Sequence, residues 1–151
     1  LARQSAIHPD SIRIYGKGHL AIWPQKSLDA LKDPAIQHIA IPNPKHAPYG
    51  IAARQALEKA GLWKALERKI VYGENVRQAL QYTESGNADA VITSWTLLQG
   101  KGTLLPESLH EPIVQAGAIT RSTRQRDLAA RFLSFLTDGD GAAILRKFGL
   151  R

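Results

Sequence analysis

Two short stretches of this 151-residue chain have the composition of an anion site. The first is Asn43-Pro44-Lys45-His46-Ala47-Pro48-Tyr49-Gly50, a two-proline turn between a short apolar run and a long amphipathic segment. Pro48 suits the first turn of a helix, where its missing N–H costs nothing. Tyr49 and Gly50 then carry backbone N–H groups at the positive end of the helix dipole, which suits an anion. The second stretch is Glu74-Asn75-Val76, where Asn75 suits an N-cap and the Val76 N–H points out of the first helical turn. Taken singly, each is equally an ordinary capped strand-to-helix connection. On adjacent strand–helix units of one sheet, however, two helix starts can aim at one point. They would hold a small tetrahedral oxyanion through neutral donors, with the dipoles balancing its charge. Hydrogen bonds to a charged acceptor contribute about 1.5–3 kcal/mol each.

Other chemistries find less support. Ser94 lacks the surroundings of a nucleophile elbow, and nothing places His19, His38, His46 or His110 near a nucleophile. Gly16-Lys17-Gly18 is too short to be a phosphate loop. His38 and His46 lie eight residues apart across a turn, unlike a metal site. The absence of cysteine excludes thiolate metal sites and cysteine nucleophiles. The reading is therefore of a protein with no catalytic residues, no metal site and no cofactor.

The donor turns require strands to lead into them and helices to follow. Strands are expected at Ser11–Tyr15, His19–Trp23, His38–Ile41, Lys69–Tyr72 and Ala88–Thr93, with Gly16-Lys17-Gly18 interrupting the first pair. Helices are expected at Pro48–Lys59, with Gly61 as its stop and Ile51, Ala52, Gln55, Ala56 and Lys59 at helical spacing, and at Val76–Ser85. One or two helical turns capped by Ser27, and another at Leu62–Leu66, fill the gaps. Residues 99–112 read as a surface connection and Pro112–Thr120 as a strand or strand pair. Helices close the chain at Asp127–Leu136, with an apolar face from Leu128, Arg131, Phe132 and Phe135, and at Gly141–Phe148. This alternation is the pattern of a doubly wound α/β sheet, whose ligands bind beyond the carboxyl ends of the strands.

Composition sets the outer bounds. A chain of this length is one domain or two small lobes, and 44% apolar residues suffice for a core. No apolar run approaches the roughly 20 residues that span a bilayer. The chain begins Leu1-Ala2-Arg3-Gln4-Ser5, without an initiator Met or a signal peptide. The formal charge of +7 invites a nucleic-acid reading. Its basic residues are scattered and not interleaved with aromatics, so a solvated basic surface, able to steer small anions, is the better account.

Four blocks carry a resemblance: YGKGHLAIW, HIAIPNPKHAPYGIAARQALEKAGLW, GENVRQALQYTESGNADA and AAILRKFG. In order and spacing the chain resembles the periplasmic molybdate-binding proteins of bacterial ABC importers, from about Ser11 to Gly149. The resemblance implies a type II periplasmic binding protein: two doubly wound α/β lobes joined by crossover strands, with molybdate or tungstate in the cleft and a membrane permease as partner. The family's backbone donors fall on Tyr49, after the second proline of the first turn, and on Val76, 27 residues later. A tyrosine hydroxyl that contributes in some members corresponds in position to Ser94, whose side chain reaches less far. Family members carry a further stretch before YGKGHLAIW, with serine-bearing turns that supply the rest of the oxyanion shell. This chain has neither, and Ala47 and Ser11 do not replace them.

The first lobe is thus expected to be incomplete, built from residues 1–24 and 112–151, with a complete second lobe at 25–111. Three origins fit: a fragment, a natural truncation completed by a partner chain, or a degenerate homologue. An open lobe also predicts self-association through bare sheet edges and helix faces. The leading expectation is a periplasmic solute-binding protein, or its C-terminal part, with no nucleic-acid partner. The alternatives are an anion-sensing regulatory domain and a homologue that no longer binds.

Overall fold

A computed structural model describes residues 6–98 and 100–150. In chain order the elements are β1 (Arg13–Gly18), β2 (Leu20–Trp23), β3 (Ile39–Pro42), α1 (Pro48–Lys59), α2 (Trp63–Leu66), β4 (Ile70–Gly73), α3 (Val76–Glu84), β5 (Ala90–Ser94), α4 (Trp95–Leu98), β6 (Thr103–Leu104), β7 (Ile113–Gly117), α5 (Arg126–Thr137) and α6 (Asp140–Lys147), with short 3-10 turns between them. They form two compact units: Leu1–Gly18 with Val114–Arg151, and His19–Ile113. The division falls after Gly18 and Ile113, so β2, expected with residues 1–24, lies in the second unit.

The second unit is a five-stranded sheet in the order β4-β3-β5-β2-β6. β3 runs parallel to both β4 and β5, and β2 runs antiparallel to β5 and β6. All four residues of β3 and all five of β5 are buried, as central strands covered on both faces must be. Alternation divides them. Ile39, Ile41, Ala90 and Ile92 pack with Ala52, Ala53, Ala56 and Leu57 of α1. Ala40, Val71 and Val91 pack with Ala79 and Leu80 of α3 on the other face. The chain leaves β3 through α1 to β4 on one side, then crosses through α3 to β5 on the other, so the winding direction reverses at β3.

Several local expectations need correction. α1 keeps its expected bounds, but its inward face is Ala52, Ala53, Ala56 and Leu57, while Ile51 is exposed. Small side chains let the helix sit close to the sheet. Gln55 instead accepts the Glu111 N–H at 2.9 Å, and Lys59 donates to the Ser108 carbonyl at 3.0 Å. The helix near Ser27 is a 3-10 turn at Asp29–Lys32, and Ser27 Oγ accepts the Ala30 N–H at 3.3 Å. Within residues 99–112 lies an edge strand, β6, paired with β2 at Ala21 and Ile22.

Asp89 fixes where the two central strands begin. Its carboxylate accepts the N–H groups of Gln37 at 2.8 Å and His38 at 2.9 Å, and its own N–H donates to the His38 carbonyl. The bonds from His38 and then Gln37 hold its carboxyl below the usual range.

In the first unit, β1 pairs with β7, and Ile7 bridges Thr120. The glycines at 16 and 18 do not break β1. Both are buried, and a Cβ on Gly16 would lie 3.2 Å from Leu150 Cβ, a tight contact that Leu150 would have to ease by a few tenths of an ångström. α5 reverses its expected orientation. It leans on the unit through Ala129, Leu133 and Leu136, and Leu128, Phe132 and Phe135 are exposed, with the two phenylalanine rings stacked at 6.5 Å. No residue of α5 is fully buried.

Candidate functional site: paired helix starts at one sheet edge

The three expected site residues follow three parallel strands. Tyr49 is the second residue of α1, after β3; Val76 is the first residue of α3, after β4; Ser94 ends β5. Parallel strands present their carboxyl ends along one edge, so the structure brings all three to the same edge of the second unit's sheet.

The turn after β3 has no side-chain cap. Ala47 holds the N-cap position, extended, with Pro48 following. The Gly50 N–H donates to the Ala47 carbonyl at 2.9 Å and the Ile51 N–H to the same oxygen at 3.1 Å. Gly50 is therefore not the open donor its position suggested. Its function is close approach: a Cβ there would stand 2.1 Å from the Pro42 carbonyl oxygen. Tyr49 is half-buried, and its ring packs against the α1-side core.

The turn after β4 is capped as expected, because the Gln78 N–H donates to Asn75 Oδ1 at 2.9 Å. Gln78 reciprocates by accepting the Glu74 N–H through Oε1 at 2.6 Å, a variant of the capping box one residue earlier. Val76 heads the helix, where geometry provides no intrahelical acceptor for its N–H. Gly73 plays the role Gly50 plays in the first turn: a Cβ there would lie 2.5 Å from the Ala79 N.

The two turns are tied together. The Asn43 N–H donates to the Gly73 carbonyl at 2.8 Å, extending the β3–β4 pairing by one bond. His46 Nε2 lies 3.2 Å from Glu74 Oε2. β5 joins through Thr93, whose hydroxyl donates to the Val76 carbonyl at 3.2 Å. Ser94 alternates to the α1 side of the sheet, is 4% exposed, and shares a 2.7 Å hydroxyl contact with Thr96. Its hydroxyl thus already has a partner.

Sequence reasoning missed the Thr93, His46, Glu74 and Gln78 links. The one available signal was Gln78, three residues after the Asn75 cap.

A cleft of about 180 Å3 lies elsewhere, lined by Trp23, Leu80, Glu84, Leu97, Leu98 and Lys101. Trp23 sits opposite Val91, while Leu20 sits opposite Ser94. The Trp23 end of β2 is therefore the end away from the paired helix starts. This cleft is thus separate from the edge that carries Tyr49, Val76 and Ser94.

A doubly wound sheet with two helix starts along one carboxyl edge is the architecture of α/β proteins whose ligands bind at that edge. The family model for bacterial extracellular solute-binding proteins matches residues 1–151, and this chain belongs to that family. The molybdate-binding protein ModA of Rhodobacter capsulatus is 31% identical over 150 residues, covering 93% of this chain and 60% of that protein. ModA of Azotobacter vinelandii is 33% identical over 148 residues, covering 89% of this chain and 59% of that protein. The solved periplasmic molybdate-binding protein of A. vinelandii superposes with a TM-score of 0.87 at 31% identity, over 99% of this chain and 71% of that one. The fold is thus that of type II periplasmic binding proteins. The chain spans about three fifths of the length of the two ModA relatives. These relatives are solute-binding proteins, not enzymes, and the family places the chain outside the cytoplasm.

Proposed function

We propose that this chain is part of a periplasmic solute-binding protein that captures molybdate or tungstate for the membrane permease of an ABC importer. In this reading the Tyr49 and Val76 backbone N–H groups donate to the oxyanion, and Ser94 contributes its hydroxyl after leaving Thr96. The supporting observation is the pair of helix starts, α1 and α3, fastened at one sheet edge by the Asn43–Gly73 bond. The molybdate-binding names of relatives above 30% identity supply the ligand class. Helix-terminal N–H groups suit such an anion because they donate without a counter-charge of their own, so selectivity follows size and geometry.

Calorimetry of the chain with molybdate, tungstate and sulfate should show heat with the first two and much less with sulfate. Equal weak heats for all three, or none, would reject the oxyanion reading. A salt-sensitive mobility shift with duplex DNA would favour a regulatory domain instead.

We also propose that the chain associates with itself through its first unit. Eight of the eleven exposed large apolar residues among those described lie there: Ile12, Ile14, Val114, Leu128, Phe132, Phe135, Ile144 and Phe148. The same unit holds ten Arg and Lys against four Asp and Glu, so like charges oppose the contact at low salt. Light scattering at micromolar concentration should show oligomers that grow with added salt. A strictly monomeric particle at every salt concentration would remove this proposal.

A further inference from the structure

Glu74 is the only carboxylate within the two donor turns, residues 43–50 and 73–76. It sits two residues before Val76, at a place where a captured oxyanion would be repelled by it. Its side chain is not left to solvent alone: His46, from the other turn, meets it at 3.2 Å. Among the described residues this is the one side-chain ion pair between the two turns, and it parallels the Asn43–Gly73 backbone bond. The Glu74 backbone is fixed separately by Gln78, so the side chain is not needed to cap α3.

We propose that His46 is a positioning residue that masks Glu74 and holds its carboxylate away from the anion, which makes oxyanion affinity depend on a residue that does not itself touch the ligand. The inference rests on the oxyanion reading of Tyr49 and Val76. Removing the imidazole frees a negative charge beside the site. Removing both partners takes away the mask and the charge together. Both side chains are largely exposed, so the effect is that of a screened surface pair, about fivefold in affinity.

The test is molybdate calorimetry at low ionic strength, where a surface charge pair is least screened. It compares the unaltered chain with His46→Ala, Glu74→Gln and the double variant, each with its melting temperature. His46→Ala should bind about fivefold more weakly. Glu74→Gln should bind as tightly as the unaltered chain or more so, and the double variant should recover its affinity. All four should melt alike without anion. His46→Ala binding unchanged, Glu74→Gln binding more weakly, or a double variant as weak as His46→Ala would each overturn the inference. Absence of heat with the unaltered chain would reject the oxyanion reading itself, and this inference with it.

Discussion

Gly50→Ala should destabilise the chain by about 1–3 kcal/mol or more and abolish oxyanion capture. The new methyl would stand 2.1 Å from the Pro42 carbonyl oxygen and 2.8 Å from the Asn43 carbonyl carbon, both backbone atoms of the strand end itself. No side chain can swing aside, so either β3 or the start of α1 must move. The displaced element carries Tyr49, which is why binding should be lost out of proportion to stability. Gly73→Ala should behave alike on the α3 side, since its methyl would meet Ala79 N at 2.5 Å. Chemical denaturation with calorimetry on the same samples separates the two effects. A Gly50→Ala chain that keeps both stability and affinity would show that the close approach of α1 to β3 does not set the site.

The second large effect concerns the donor itself. Tyr49→Pro deletes one N–H at the second helical position, where helix geometry tolerates proline. Loss of a hydrogen bond to an anion is worth about 1.5–3 kcal/mol, or roughly tenfold to a hundredfold in affinity. Tyr49→Phe retains both the N–H and the packed ring, and should bind nearly as the unaltered chain does. Tyr49→Ala separates loss of the ring from loss of the donor. Equal losses in the Pro and Phe variants would assign the contact to the phenol, and no loss in either would remove Tyr49 from the site.

The elements around the candidate site are legible where local chemistry dictates them. Pro48 and Gly61 bracket α1, and Asn75 opens α3, because each residue acts within its own turn. Contacts between segments distant in sequence were not legible. Thr93 reaching Val76, and His46 reaching Glu74, exist only once β3, β4 and β5 lie side by side. β6 escaped notice because two residues of edge strand leave no period to detect. The apolar stripe of α5 was visible as Leu128, Phe132 and Phe135, but periodicity reports a face, not what covers it. In α1 the large residue Ile51 outweighed the alanines that actually meet the sheet.

The division of the chain also governs the order in which it can be completed. The second unit is one unbroken run, His19–Ile113, whereas the first is assembled from both ends of the chain. On the ribosome every residue of the five-stranded sheet has been made before the first residue of α5 exists. The sheet can therefore close while synthesis continues, and β1 must wait through the whole insertion for β7 to arrive. A nascent chain interrupted at Ile113 would carry the paired helix starts in full and none of the exposed phenylalanines.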